Sequence, residues 1–265
     1  MRWSPSKPIR VTPPSPSETL WRAIQEDVIA VKRNDPAARN VWEILTSYPG
    51  LHALWLHRLS HGLWNQGMVT TARMLSNFNR ALTGVEIHPG AVLGRRVFID
   101  HGMGVVIGET AIVGDECLIY KGVVLGGTTL DRAKRHPTLG KGVVVGSNVC
   151  ILGRVTIGDG AKIGSGSVVV KDVPEGATAV GVPGRIVATM ESQRPLDHGD
   201  LPDPMATLVR SLLDQLETLG ARVEALESRG AHARHEGVVS GAEDDAEAER
   251  RRVSEALTAL FYEGD

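Results

Sequence analysis

Aliphatic side chains recur at every sixth position between Ile87 and about Val173, with two interruptions. Eight of the thirteen repeat starts are followed by glycine, which turns sharply with the least strain because it has no Cβ atom. A six-residue period is too short for a helical array and is typical of a parallel β-helix, in which three short strands make one triangular coil. The starts are Ile87, Leu93, Ile99, Ile107, Val113, Ile119, Leu125, Leu139, Val145, Ile151, Ile157, Ile163 and Val169.

A second position in each repeat, four residues after the start, is nearly always small or aliphatic. The two positions together predict two inward-facing side chains per repeat and a continuous core along stacked coils. We therefore predict a left-handed parallel β-helix over residues 84–190. The second set comprises Ala91, Val97, Ala111, Cys117, Val123, Val143, Val149, Val155, Ala161 and Ser167.

Upstream of the repeats, the apolar spacing changes to three and four residues, as in an amphipathic helix. Ser17 is a candidate cap for the first helix, which Asn34-Asp35-Pro36 should end. Three further helices are predicted over 41–46, 52–65 and 69–82. Residues 17–83 thus form a predicted helical N-terminal domain, preceded by a disordered arm at 1–16 that is rich in proline and serine.

Downstream of the repeats, residues 191–204 have the polar composition of a linker, and residues 205–229 follow a heptad pattern. Such a pattern suits either a coiled coil or an amphipathic helix folded back on its own chain. Residues 230–265 are predicted to be a charged tail containing a further helix. The predicted fold class is α+β, with an N-terminal α-helical domain, the β-helix and a helical C-terminal tail.

Composition narrows the range of partners. The chain has 265 residues and a formal net charge of −2, so it lacks the basic field expected of a general nucleic-acid-binding protein. No segment suggests a membrane span. Both cysteines, Cys117 and Cys150, fall within the repeat phase, which favours buried thiols in a reducing cytoplasm over a disulfide or a metal site.

Two histidines interrupt the repeat instead of obeying it. His101 lies in the run IDHGMG, where Asp100 replaces the usual glycine, and His136 lies in KRHP, on the insertion between Leu125 and Leu139. Glu86 precedes His101 by 15 residues, which in a coil of about 18 residues would bring the two to neighbouring positions on adjacent rungs. A carboxylate there could orient the imidazole, although a solvated turn residue would have the same spacing.

The runs TGVEIHPGAVLGRRVFIDHGMGVVIGET, GGTTLDRAKRHPTLG and VGVPGRIV closely resemble serine O-acetyltransferase, an enzyme of cysteine synthesis. The resemblance covers about residues 27–187. It implies transfer of an acetyl group from acetyl-CoA, a co-substrate, to the hydroxyl of L-serine, with no cofactor and no metal. It further implies that His101 is the general base and that Glu86 is its carboxylate partner, at a position where many members have aspartate.

The resemblance also implies the binding residues. Asp35 and Asp100 match the acids that hold the substrate ammonium group, and Arg135 and His136 match the pair that binds its carboxylate. Acetyl-CoA would lie between subunits, in contact with Gly127, Ser147, Ser165 and Lys171, where backbone amides could stabilise the tetrahedral oxyanion.

Two features depart from the family. The N-terminal domain is shorter than in the enteric type, which leaves a homotrimer and a dimer of trimers both open. The chain ends in Tyr262-Glu263-Gly264-Asp265 without the terminal isoleucine that inserts into O-acetylserine sulfhydrylase, which weakens the case for that partner.

Three other functions remain to be weighed. One is a hexapeptide acetyltransferase for another hydroxyl acceptor, such as a sugar or an antibiotic. Another is a γ-type carbonic anhydrase, although the spacing of His88, His101 and His136 does not resemble its zinc ligands. The last is an inactive solenoid scaffold, which the intact set of acids, arginine and histidines argues against.

Overall fold

The computed structural model describes residues 20–189, 204–235 and 251–252. Four helices precede the strands: α1 Leu20–Asn34, α2 Val41–Ser47, α3 Pro49–Asn65 and α4 Val69–Thr83. All four predicted helices are present, and α3 begins three residues earlier than predicted because Pro49 occupies its first turn, where a proline costs no hydrogen bond. The predicted cap Ser17 and the arm at 1–16 lie outside the described residues.

Fifteen short strands follow. In chain order they are β1 Glu86–Ile87, β2 Val92–Leu93, β3 Phe98–Ile99, β4 Val106–Ile107, β5 Ile112–Val113, β6 Leu118–Ile119, β7 Val124–Gly126, β8 Thr138–Leu139, β9 Val144–Val145, β10 Cys150–Leu152, β11 Thr156–Ile157, β12 Lys162–Ile163, β13 Val168–Val169, β14 Ala177–Val180 and β15 Arg185–Thr189. Each strand up to β13 hydrogen-bonds in parallel to a strand of the next coil, of the preceding coil or of both.

Every third strand belongs to the same sheet. Sheet 1 contains β1, β4, β7, β10 and β13, sheet 2 contains β2, β5, β8 and β11, and sheet 3 contains β3, β6, β9, β12 and β14, with β15 antiparallel at its end. Three parallel sheets visited in rotation are the three faces of a β-helix. This arrangement confirms the parallel β-helix and fits the predicted left-handed form.

The core follows the predicted periodicity. All thirteen repeat starts are buried, and so are all ten side chains of the second inward set. Cys117 is one of these core residues: its Sγ lies 3.0 Å from the carbonyl oxygen of Gly140, and burial raises the pKa of its thiol to about 12. Both cysteines are free, but the expectation of two buried thiols is wrong for Cys150, which is only half-buried because it precedes the inward-facing Ile151 and points to the other face of its strand.

Helices α1, α2 and α3 pack on the outer side of sheet 3, whereas α4 packs against α3 and β1. Val31, Ile44 and Leu51 form one buried cluster with Phe98, Leu118 and Val144, which are the outward-facing residues of three successive strands. Gly50 allows the close approach of α3, since a Cβ atom there would lie 2.0 Å from the carbonyl oxygen of Ile99. This packing places the loop between α1 and α2 beside the end of β3.

A separate unit begins at Met205, according to the distribution of contacts. Helix α5, Pro204–His235, lies in this unit except for its first residue, covers the predicted heptad segment and continues beyond the predicted end at 229. Arg251 and Arg252 are also helical, within the tail where a further helix was predicted. The predicted linker lies outside the described residues except for Pro204. No helix within the described ranges is long and apolar enough to cross a membrane.

His57 of α3 is a titratable group inside the fold. It is 3% exposed, and its Nδ1 atom has no hydrogen-bond partner among the described residues. Burial lowers the pKa of His57 to about 3, and the neighbouring His61 and Arg58 act in the same direction. Because an unfolded histidine has a pKa of about 6.5, acid protonates the unfolded state first, and stability is lost as the pH falls from about 6.5 towards 3.

We predict that the variant His57→Gln loses less stability in acid than the wild type. At pH 5 the neutral imidazole should cost the wild type about 2 kcal/mol relative to neutral pH, because the unfolded state alone is protonated. The urea midpoint of unfolding, measured at pH 7 and pH 5, tests this. His52→Gln, on the same helix, is the matched control, and an equal acid loss in both variants and the wild type would contradict the prediction.

Candidate active site

Sheet 1 is flanked by two edges of the coil, and each predicted site residue of the β-helix lies at or beside one of them. The turns that lead from sheet 3 to sheet 1 form the acid edge, which comprises residues 100–104, 120–122, 146–148 and 164–166. The turns that lead from sheet 1 to sheet 2 form the loop edge, which comprises residues 88–91, 108–111, 127–137 and 153–155, together with residues 170–172 at the same phase after β13. Both edges are built by coils stacked in register, so residues of equal phase are held one above another.

The acid edge gathers Asp100, His101 and Asp35. Asp100 directly follows β3, and its Oδ2 lies 3.8 Å from Nε2 of His101. Asp35, in the loop after α1, accepts a hydrogen bond of 2.6 Å from the hydroxyl of Tyr48 and another of 2.8 Å from the amide of Ala37. Two acids, one histidine and a tyrosine hydroxyl therefore share this edge.

The acids of this edge act on one another electrostatically. Burial raises the pKa of Asp100, and the charge of Asp35 raises it further, while His101 opposes the shift. Burial, followed by the charges of Asp100 and Asp35, also raises the pKa of Tyr120. A cation placed beside Asp100 and Asp35 would favour the ionised form of Asp100.

Glu86 lies at the start of β1, beside the same edge. The turn that contains His101 packs against the residues just before Glu86, since the amide of Gly104 donates to the carbonyl of Gly84 at 2.9 Å. The predicted register is nevertheless wrong. Glu86 pairs with Val106, which is 20 residues away, because two extra residues lengthen this coil. The carboxylate of Glu86 binds Arg80 at 3.1 Å, and its predicted contact with His101 stays a prediction.

The loop edge is organised by Thr110. Its Oγ1 accepts hydrogen bonds from the amides of Arg135 at 3.0 Å and His136 at 3.1 Å. Its backbone carbonyl accepts a bond of 2.5 Å from Nζ of Lys134, whose pKa burial lowers to about 8. One threonine on the coil thus fixes three consecutive residues of the projecting loop.

Thr110 also fixes the ring of His136. The amide of Thr110 donates to Nδ1 of His136 at 3.2 Å, and the hydroxyl lies 2.8 Å from the same atom. An Nδ1 atom that accepts leaves the proton of the neutral ring on Nε2, which is then a donor. Gly108 makes room for this ring, because a Cβ atom there would lie 2.2 Å from Nε2. Burial, together with Arg135 and Lys134, lowers the pKa of His136, so the neutral form is favoured.

Arg135 projects beside His136 and is held by a carboxylate. Its Nη2 donates to Oε2 of Glu109 at 2.5 Å, and this bond holds the pKa of Glu109 below its usual range. His88 lies near the same group, and burial lowers its pKa to about 4. The loop edge therefore presents a positioned guanidinium and a neutral imidazole.

The four residues predicted to bind acetyl-CoA divide between the two edges. Ser147 and Ser165 lie on the acid edge in consecutive coils, where the amide of Ser147 donates to Oγ of Ser165 at 3.2 Å. Gly127 and Lys171 lie on the loop edge, and Gly127 sits under the side chain of Arg135, whose Cγ would be 3.3 Å from an added Cβ. The residues predicted to bind serine divide in the same way, with Asp35 and Asp100 at the acid edge and Arg135 and His136 at the loop edge.

One chain does not bring the two edges together. The stretch from Val105 to Gly108 crosses sheet 1 between them, and four extended residues at about 3.3 Å each span roughly 13 Å. Within residues 20–189, 204–235 and 251–252, no three or more His, Cys, Asp and Glu side chains are arranged to hold a metal ion. His101 lies on one edge, whereas His88 and His136 lie on the other.

Sequence reasoning missed Tyr48, Glu109 and Thr110. Tyr48 reaches Asp35 over 13 residues through the packing of α2 and α3, which no local pattern reports. Glu109 and Thr110 do have a signal: they directly follow a repeat start and its glycine, and the loop insertion begins one coil later at the same phase. Counting residues from each repeat start would have placed Glu109 and Thr110 beside the loop that contains Arg135 and His136.

Comparison with known proteins gives consistent matches. Residues 136–171 match the family described as bacterial transferase hexapeptide (six repeats). The chain is 51% identical over 208 residues to a serine acetyltransferase of Synechococcus elongatus, covering 78% of this chain and 85% of that protein. It is 46% identical over 212 residues to a serine acetyltransferase of Bacillus subtilis, covering 79% and 98%. A crystal structure of Neisseria gonorrhoeae serine acetyltransferase in complex with serine has 43% identity and a TM-score of 0.62, covering 64% of this chain and 69% of that chain.

We predict that Thr110→Val loosens the loop at 127–137, because valine keeps the shape of threonine and removes the hydroxyl that holds Arg135 and His136. Trypsin should then cleave after Arg132, Lys134 or Arg135 about tenfold faster, since cleavage follows the population of the open loop. Mass spectrometry identifies the fragments. Thr156→Val, in strand β11, is the matched control, and cleavage of both variants at the wild-type rate would refute the role of the hydroxyl.

Proposed function

The chain belongs to the serine acetyltransferase family, and on that premise we propose which of its residues carry the reaction. The enzyme transfers the acetyl group of acetyl-CoA to the hydroxyl of L-serine, giving O-acetyl-L-serine and CoA in cysteine biosynthesis. The observation that carries this conclusion is the identity of 46–51% over more than three quarters of the chain. The residue roles below rest on the geometry of the two edges, and the hexapeptide repeat supports a left-handed coil.

His101 is the proposed general base. Its side chain is 72% exposed at the acid edge, so a substrate hydroxyl can reach the imidazole. The imidazole takes the hydroxyl proton as the serine oxygen forms a bond to the thioester carbonyl carbon. When the tetrahedral intermediate collapses, the carbon–sulfur bond breaks, and the imidazolium returns the proton to the sulfur of CoA. No acyl-enzyme is needed, because the acetyl group passes directly to serine.

Glu86 is the proposed partner that stabilises the imidazolium. Its ion pair with Arg80 is exposed, with 60% and 36% of the two side chains accessible. Such pairs contribute about 0–1 kcal/mol, so exchange of Arg80 for a newly formed imidazolium costs little. The position of Glu86 beside the turn of His101 supports this role.

The charged groups match a free amino acid. Asp35 and Asp100 would hold the ammonium group, which relieves the repulsion that raises the pKa of Asp100. Arg135 and the Nε2–H of His136 would hold the carboxylate, with Glu109 and Thr110 as their supports. A neutral sugar or antibiotic hydroxyl would leave these four groups without charged partners.

The active site is proposed to lie between two copies of the chain. The ammonium and carboxylate groups of serine are attached to one carbon, whereas the acid edge and the loop edge of one chain are separated by the width of sheet 1. Serine can therefore meet both sets only if the acid edge of one copy faces the loop edge of the next. Acetyl-CoA would run along the same groove, between Ser147 and Ser165 of one copy and Gly127 and Lys171 of the other. A cyclic trimer satisfies this contact three times.

Two expectations concern the surroundings of the enzyme. The free thiols of Cys117 and Cys150 fit a reducing compartment, which supports a cytoplasmic location. A complex with O-acetylserine sulfhydrylase is proposed from the family resemblance alone.

The acceptor can be tested by CoA release from acetyl-CoA with L-serine, D-serine, L-homoserine and a galactoside offered separately. We predict turnover with L-serine at least a hundredfold above the other acceptors, because each of them displaces a charged group or the hydroxyl from its partner. Equal or greater turnover of the galactoside would instead support a hexapeptide acetyltransferase with another acceptor.

The shared site can be tested by complementation between two inactive variants. His101→Ala should reduce kcat at least a hundredfold, since it removes the base, and Arg135→Ala should mainly raise KM for serine. Coexpressed, the two chains should assemble mixed trimers in which about a quarter of the sites combine an intact His101 with an intact Arg135. We predict that activity measured at subsaturating serine recovers to about that fraction of the wild type.

The result separates the two arrangements. If both residues served one site from the same chain, no mixed site would be complete, and activity would stay at the level of the separate variants. Coexpression of His101→Ala with Asp35→Ala is the matched control. Those two residues lie on the same edge, so their mixture should show no recovery.

A further inference from the structure

Helix α5 exposes an apolar seam that the proposed function does not use. Positions a of a heptad repeat are Val209, Leu216 and Val223, and they are 48–63% exposed. Of the d positions, Leu212 and Leu226 are 38% and 48% exposed, and Leu219 is half-buried. A helix that is complete over Pro204–His235 thus presents its coiled-coil positions to solvent.

The composition of α5 indicates that this seam has a partner. Gly220 lies in the middle of the helix, where glycine costs about 1 kcal/mol relative to alanine. Among the described residues outside the backbone of α5, no atom lies within 4 Å of a Cβ placed at Gly220, so close packing against them does not explain this glycine. Helices of this kind owe most of their stability to the packing of an apolar face.

The pattern of the seam fits a second copy of the same helix. An apolar repeat of seven residues keeps a and d positions facing a partner only when two or more helices supercoil around one another. The outward positions carry both signs of charge, at Arg210, Asp214, Glu217 and Glu224, so the helix has no basic face for a lipid surface or a nucleic acid. The apolar seam of a second α5 has the same spacing, so the two seams can pack against each other.

The charges beside the seam favour a parallel arrangement. Arg222 occupies a g position and Glu227 the following e position, five residues later, which is the spacing of an interhelical ion pair in a parallel coiled coil. In an antiparallel pair, g positions face g positions, and these are Leu208, Gln215, Arg222 and Arg229. None of them is acidic, so the antiparallel arrangement brings arginines towards one another.

We propose that α5 forms a parallel, in-register coiled coil with α5 of other copies of this chain. The contact uses residues of α5 and none of the β-helix, so it adds a second site of self-association. In register, each d residue meets its own counterpart, as Leu226 meets Leu226.

The test is disulfide trapping in the full-length protein. Leu226→Cys places a thiol at a d position, and Ser228→Cys places one at the f position, on the opposite side of the same turn. After mild oxidation at low protein concentration, a non-reducing gel should show covalent dimers of Leu226→Cys in at least tenfold excess over those of Ser228→Cys. The reason is that d residues of two parallel helices in a coiled coil lie within disulfide range. The unmodified chain measures the background from Cys117 and Cys150, and CoA release shows that each variant is folded.

Two outcomes would overturn the proposal. Equal trapping at both positions would mean that the β-helix merely tethers the helices near one another. Trapping only in a mixture of Val209→Cys with Leu226→Cys would mean an antiparallel pair. As a second measurement, Leu219→Asp should abolish the trapping of Leu226→Cys, whereas Ala221→Asp, at an f position with the same change of helix propensity, should leave it unchanged.

Discussion

The burial of one aliphatic side chain every sixth residue is the constraint on which the molecule depends. The strands are only two or three residues long in most coils, and they hydrogen-bond to the coils above and below, so no coil is stable without its neighbours. Ile107 and Leu125, for example, are buried one above the other in paired strands. Because the stacking sets the register, a residue at a corner of the coil has a position that is almost independent of its own identity.

The proposed chemistry lies where the repeat is broken. Two extra residues lengthen the turn after β3, which contains His101, and the loop that contains Arg135 and His136 interrupts the repeat after β7. Residues in these breaks do not occupy the inward-facing positions of the repeat, and the rigid coil on either side holds them in place. The left-handed backbone of His101, with φ of 60°, is an example of a strained conformation kept at such a place.

Much of the fold could be predicted because its signal is periodic. The buried positions, the parallel strands and the ends of α1 and α4 all follow from spacing and from turn residues. The site was less predictable, because its contacts join segments that packing alone brings together. The bond from Tyr48 to Asp35 depends on how α2 meets α3, and the register of Glu86 depends on two residues that a constant coil length ignores. The division of the site between two edges follows from where its residues stand relative to the repeat starts. It could be recognised only after each strand had been assigned to one of the three sheets.

The same rigidity is the physical basis for the proposed second copy. A domain built of packed helices can close around a ligand by a hinge, whereas the coils here are hydrogen-bonded through sheet 1 between Asp100 and Thr110. Bending this face enough to join its two edges would break the ladder that holds the coils. Stability of the chain and completeness of the proposed site are thus separate properties: the core is intact in one copy, while the proposed site takes residues from two. A parallel contact through α5 would keep copies near one another and raise the effective concentration at which the edges meet.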